Sequence, residues 1–286
     1  MCRDDRIIEY IRTHWKTKEY ALLLKKYEDE LEIASSETKV EERYRVLILH
    51  LVGKCLVTTR EIIVLCEAGY PDGAFALSRQ LYEQFITICF FMAHEVDNNF
   101  NDYVEDYELN GQYQIYKYRK EYERIILGKN EEELQDELQE IKDKAHAPLP
   151  EGKRPTDYWW AGKRSFGQLV KDIEESDMFK NDLSTIERLH LFYIATNRSV
   201  HANAAGNMQR LGRNNEYHVI DTAQSITGQG TPLCFATRCM IVILLRVCQM
   251  FNMNFEYYRT HLNNLEEYYF STWADEIETI NTTELL

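Results

Sequence analysis

Two short stretches of this sequence carry the residue types that chemistry needs. In LHLFYIATNRSVHANAAG, residues 189 to 206, helical periodicity of 100° per residue brings His190, Asn197 and His201 within about 20° of one another, with Arg198 about 60° from His201. One face then carries imidazole, amide and imidazole beside a guanidinium, and Ala202, Ala204, Ala205 and Gly206 leave room for a ligand or another backbone to approach. These residue types suit proton transfer and anion binding. A metal shared by the two histidines is excluded on this helix alone, because they are about 16 Å apart along its axis. Ser199 and His201 are two residues apart and point to different faces, and no GxSxG elbow accompanies them, which excludes a serine hydrolase.

The second stretch holds Arg79 and Glu83, four residues apart on a helix otherwise built from Phe75, Leu77, Leu81, Phe85, Ile86 and Phe90. A charged pair on so apolar a helix must find partners. Two readings stand at this point. In one, the pair is internal and closed by Arg60 or Glu67 of the preceding helix. In the other it lines a polar pocket in which the planar arginine fork grips a phosphate or carboxylate.

A third feature is KRPTDYWWAGKR, residues 153 to 164. Basic residues including Lys163 and Arg164 interleave with Trp159 and Trp160, in a chain whose formal net charge is −14. Such a patch fits an anion site with stacking surfaces of the kind single-stranded nucleic acid uses, provided the indoles are exposed. If they are buried, the tryptophans plug a loop onto the core.

The elements that must position these residues are helical nearly throughout. Only 12 Gly and 5 Pro interrupt 286 residues, too few for a sandwich of many short strands. Residues 4 to 33 form one or two amphipathic helices. The SSET run at 35 to 38 breaks the pattern, and a long core helix follows over 39 to 68. A tight turn at Gly69, Pro71, Asp72 and Gly73 leads into the Arg79/Glu83 helix, so these two helices form a buried antiparallel hairpin. Residues 99 to 145 are charged and Tyr-rich, with EEELQDELQEIKDK reading as an exposed helix. Residues 146 to 166 form a loop with three of the five prolines. Helices resume at 166 to 175, from about 181 to 206, at 231 to 252 and at 254 to 281. The stretch 212 to 230 is a long loop with room for a small hairpin around YHVI. The expected architecture is an all-α helical bundle, a single domain over 1 to 286 in which 99 to 150 is an inserted or protruding helical segment.

The acidic charge and a pI near 5.1 mean that the averaged field repels nucleic acid and anionic membranes, so any anion site is local. Seven cysteines without a CxxC, mostly in apolar runs, read as reduced, buried thiols of a cytoplasmic protein. The N-terminus is too charged for a secretory signal, and the apolar run 232 to 253 carries Arg238 and Arg246, which argues against a membrane span. No metal and no cofactor are expected.

The succession GYPDGAFALSRQLYEQFITICFFM, WWAGKRSFGQLVKDIEE and YIATNRSVHANAAG resembles an uncharacterised bacterial family of helical proteins, a domain of unknown function, over about residues 40 to 255. That family is similar in architecture to the HEPN superfamily, helical and often dimeric proteins of which many cut RNA without metal in toxin and anti-phage systems. The resemblance implies a HEPN-like bundle, a homodimer, RNA as the partner, and catalytic roles for Arg198 and His201 with Asn197 or Ser199 as polar neighbour. Arg79, Glu83, Trp159, Trp160, Lys163 and Arg164 would then bind substrate. Here two residues separate the Arg from the His, where the HEPN pattern has four to six. HEPN-like folds without the motif serve as non-catalytic interaction or sensor modules, which is the alternative function, with 99 to 145 as the docking side for a protein partner.

Overall fold

The computed structural model describes residues 3–39, 41–128, 143, 158–162, 164–200, 211–214, 217–220 and 228–283, with backbone alone at 3–4, 183–185, 195, 197–200, 211–214, 217–220 and 276–283. Among the described residues the chain is all-α apart from one small hairpin, and it divides into two compact units. The first comprises residues 1–89 and 181–286. The second comprises residues 90–180, so it is inserted in sequence within the first.

The first unit begins with α1 (Arg3–His14) and α2 (Thr17–Glu37). They are separated where Trp15 is fully buried and Lys16 turns the backbone left-handed at φ 45. Tyr20, Leu23, Leu24, Tyr27, Leu31 and Ala34 recur at helical spacing and are the buried stripe of α2. The SSET run acts later than its composition implies. Ser35, Ser36 and Glu37 stay helical, and Thr38 closes α2 by donating its N–H to Ser35 O and its hydroxyl to Ala34 O. The next helix, α3 (Arg43–Glu67), therefore starts four residues after the expected position.

The end of α3 is set by Gly69, whose φ of 78 only glycine adopts without cost. Its N–H bonds to Cys66 O at 3.0 Å and that of Tyr70 to Leu65 O at 2.8 Å, the pairing of a Schellman cap. Pro71 then opens α4 (Pro71–Ala93) at the first helical position, where its missing N–H would have no acceptor within the helix. Leu65 lies beside Gly73, and further from the turn the Thr58 hydroxyl donates to Gln84 Oε1 at 3.4 Å, so α3 and α4 run antiparallel as the sequence predicts.

Beyond the insertion, the first unit continues with α7 (Leu183–Val200), a two-stranded antiparallel ladder, α8 (Gly230–Met250) and α9 (Phe255–Thr283). In the ladder β1 (Leu211–Asn214) pairs with β2 (Tyr217–Ile220), the YHVI segment, in the register Leu211 to Ile220. Helix α8 is the central element, packed on α3, α7 and α9. By length and composition it could cross a membrane, but 67% of it is buried inside the protein, as a core helix is. Three polar ties fix it: Tyr27 OH donates to Leu244 O at 3.1 Å, Arg238 pairs with Glu266, and Arg246 pairs with Asp182 at 3.0 Å. Cys55, Cys66, Cys89, Cys234, Cys239 and Cys248 are free and buried, and desolvation raises the Cys55 and Cys66 thiols far above the range in which they ionise.

The second unit contains the end of α4 from Phe90, α5 (Phe100–Ile126), a 3₁₀ turn at Trp159–Ala161 and α6 (Phe166–Glu175). Its aromatic core gathers Phe90, Phe91, Phe100, Tyr103 and Trp160. Ser165 and Gln168 form a capping box at the start of α6, each satisfying the other's backbone N–H. The run EEELQDELQEIKDK, read from sequence as an exposed helix, lies outside the described residues except for Asp143.

Candidate functional site

Helices α4 and α7 bring together the largest set of chemically competent side chains that the sequence singles out. Arg79 Nε donates to Glu83 Oε1 at 3.0 Å, one helical turn along α4. The Tyr193 hydroxyl of α7 donates to the same oxygen at 3.3 Å, and the Arg79 guanidinium lies 5.5 Å from the Tyr193 ring centroid. Beneath them, fully buried Tyr82 packs 5.0 Å from Tyr193, and its hydroxyl lies 3.3 Å from His190 Nδ1. The His190 and Tyr193 rings are nearly parallel, 6.0 Å apart.

The pair is neither buried nor free. The side chains of Arg79 and Glu83 are 26% and 32% exposed, so water and a ligand can reach them. Burial opposes the Arg79 charge, and its bond to Glu83, with Tyr193 adding to it, more than offsets that cost, so its pKa is raised. Burial and then the Glu83 carboxylate raise the Tyr193 phenol. This arrangement keeps the guanidinium charged and the phenol neutral, a combination suited to binding an anion that competes with Glu83 for the arginine.

The partners foreseen for this pair on the preceding helix are engaged elsewhere. Arg60 places both terminal nitrogens on Glu28 of α2 at 2.8 Å, and Glu67 accepts from Arg12 Nε and from the Thr17 hydroxyl. Tyr193, which closes the pair instead, is visible in the sequence only as an aromatic three residues after His190. Asn197 and Arg198 lie in the last turn of α7, in the turn after Tyr193, with backbone alone described. His201 and Lys163 lie outside the described residues.

The tryptophan loop does not fit its expected role. Trp159 and Trp160 are 3% and 2% exposed, so neither offers a face on which a base could stack. Trp160 is stacked on Phe91 at 5.2 Å and meets Tyr107 edge-on at 4.9 Å, while Trp159 Nε1 donates to Asn110 Oδ1 at 3.0 Å. Arg164 pairs with Asp172 of α6 and donates to Ala161 O at 2.8 Å and to Tyr103 OH at 3.5 Å. Gly162 is left-handed at φ +67, and a Cβ there would stand 2.8 Å from Arg164 Nη1. This element is a core plug with its arginine tied inward.

Sequence reasoning missed a polar cluster in the second unit. His94 Nδ1 lies 2.6 Å from Asp97 Oδ2, His94 Nε2 lies 4.0 Å from Asp172 Oδ2, and Asn99 donates to the Tyr103 hydroxyl at 2.8 Å. The signal was the His-x-x-Asp spacing at the end of α4, which places two side chains on one side of a helix end. Among the described residues no group of three or more His, Cys, Asp or Glu is placed to hold a metal ion.

Comparison with known families matches residues 45–218, more than half of the chain, to a family of unknown function, DUF5677. No curated protein and no solved structure matches.

Proposed function

The chain belongs to the DUF5677 family, and from that premise we propose that it is a HEPN-like, RNA-directed helical protein whose working face is formed by α4 and α7. In this reading Arg198, in the last turn of α7, and His201, three residues further along the chain, meet a substrate phosphate beside the Arg79–Glu83 pair. His201 takes the proton of a ribose 2′-hydroxyl as its oxygen attacks the adjacent phosphorus. The bond to the 5′-oxygen breaks, and that oxygen leaves with a proton, giving a 2′,3′-cyclic phosphate and a 5′-hydroxyl end. Arg198 and Arg79 stabilise the charge that develops on the phosphoryl oxygens, and Asn197 orients them.

One observation carries the reading: Tyr193 bonds to Glu83, which brings the charged pair of α4 onto the helix that bears Asn197 and Arg198 in its next turn. The HEPN resemblance adds a homodimer with a composite site and a role in bacterial stress or anti-phage defence. The six buried free thiols fit a reducing cytoplasm. Ile115, Tyr118 and Ile125, all well exposed on α5, fit a docking side for a protein partner.

A second reading, a non-catalytic interaction or sensor module that binds a nucleotide or protein, is favoured by the engagement of Arg79 with Glu83 and by the burial of both tryptophans. The deciding experiment incubates the purified protein with total bacterial RNA in EDTA, beside His201→Ala and Arg198→Ala. Cleavage by the wild type alone, leaving 2′,3′-cyclic ends, supports the nuclease. Retained RNA binding without cleavage supports the module, and neither binding nor cleavage overturns the RNA-directed reading.

A further inference from the structure

A cleft of about 670 Å³ opens between α1, α2 and α3, on residues that play no part in the α4–α7 reading. Its volume lies in the range of small-molecule sites. Its geometry is held by the turn between α1 and α2. Lys16 is locked in the left-handed region with its ammonium 3.8 Å over the Tyr268 ring, and the Tyr268 hydroxyl donates to His14 O at 2.7 Å. A non-glycine residue keeps that conformation only where its surroundings enforce it, so the cleft is pre-shaped.

Inside it, Arg12 is positioned from one edge. Its Nε donates at 2.9 Å to Glu67, whose side chain is 13% exposed and is itself fixed by the Thr17 hydroxyl at 2.6 Å. The two terminal nitrogens of Arg12 make no hydrogen bond to the described residues, and the side chain is 49% exposed. Lys18, on the same lining, has no ion pair among the described residues. The opposite character comes from α3, where Val64 is 61% exposed beside buried Ile63. A guanidinium held through Nε presents its terminal fork to a carboxylate or phosphate, and an uncovered valine favours an apolar body next to it. Glu9 and Glu19 on the lining repel a polyanion.

We infer that this cleft binds a small organic anion, a carboxylate or phosphate monoester on an apolar body, with Arg12 and Lys18 gripping the anion and the exposed Val64 covering the body. The test is isothermal titration of the full chain with phenyl phosphate, benzoate and inorganic phosphate. Saturable binding of phenyl phosphate or of benzoate is expected, whichever binds more tightly naming the anion, at an affinity about tenfold above that of inorganic phosphate. Arg12→Gln weakens it about tenfold or more, and the exposed Lys18→Gln weakens it in the same direction without changing the melting temperature. The proposal is overturned if neither organic probe saturates below about 10 mM, if inorganic phosphate binds as well as phenyl phosphate, or if both variants bind like the wild type.

Discussion

Tyr193 of α7 donates its hydroxyl to Glu83 Oε1 of α4 across 3.3 Å, onto the oxygen that already accepts the Arg79 Nε–H. The carboxylate therefore joins two helices as well as two charges. Removing either partner strands the other at a partly desolvated position. Tyr193→Phe and Glu83→Gln should each lower stability by about 1 kcal/mol, and the double variant by less than the sum, with a coupling of about 0.5 kcal/mol or more. Urea titrations of the four proteins check this, and strictly additive losses would mean that the contact carries no energy.

The Arg60–Glu28 pair makes an acid-side prediction. Both Arg60 terminal nitrogens meet Glu28 at 2.8 Å, and they, with Lys25, hold its carboxyl down at about 2. A carboxylate depressed in the folded state contributes stability that is fully present above the unfolded value of about 4.3 and is lost as pH falls through the folded value. Glu28→Gln should therefore cost up to about 1 kcal/mol at neutral pH, given that the side chain is partly solvated, and progressively less from pH about 5 downward. Denaturation of the two proteins at several pH values reads the gap directly.

Helical periodicity made most of the fold legible in the sequence. Leu23, Leu24, Tyr27 and Leu31 announce the buried face of α2, and Gly69 followed by Pro71 announces the turn between α3 and α4. The site was legible only in part. Arg79 and Glu83 stand out because charge is costly on an apolar helix, but a pattern within one helix cannot tell which other helix supplies the closing hydroxyl. The tryptophan loop was ambiguous for a related reason. Local composition shows bases beside indoles, whereas burial of Trp160 depends on Phe91 and Tyr107, dozens of residues away in sequence.

At alkaline pH the buried tyrosines set the limit. Burial raises the phenols of Tyr20, Tyr27 and Tyr269 well above the usual value of about 10. Groups raised in the folded state contribute stability below the unfolded value and lose it as pH climbs above it, because only the unfolded chain ionises them easily. In a spectrophotometric titration at the phenolate band, these tyrosines should stay silent past pH about 10 and then ionise together with loss of helical circular dichroism. Ionisation of all tyrosines while the helix signal is intact would contradict their burial.

In the second unit, Trp160 is the residue whose loss should matter most. It is fully enclosed by Phe90, Phe91 and Tyr107 at centroid distances of 5.5, 5.2 and 4.9 Å. Trp160→Ala leaves a cavity that helices cannot close without moving, at a cost of about 3 to 5 kcal/mol. Lys171→Ala, on the exposed face of α6, should change stability by about 0.5 kcal/mol or less. Comparable melting of the two variants would show that the indole is not buried in solution.

Gly230 opens α8 where two indoles leave no room for a side chain. A Cβ built there would stand 2.5 Å from Trp273 Cδ1 and 2.8 Å from Trp15 Cη2. Both distances lie well inside van der Waals contact, and Trp15 is fully buried, so it cannot swing aside into water. Helix propensity alone would make alanine the better residue by up to about 1 kcal/mol. Overpacking outweighs that gain, and Gly230→Ala should destabilise the protein by about 1 to 3 kcal/mol, with a change in tryptophan fluorescence as the indoles shift. A rise in melting temperature would mean that propensity wins and that α8 begins with more space around it than this packing allows.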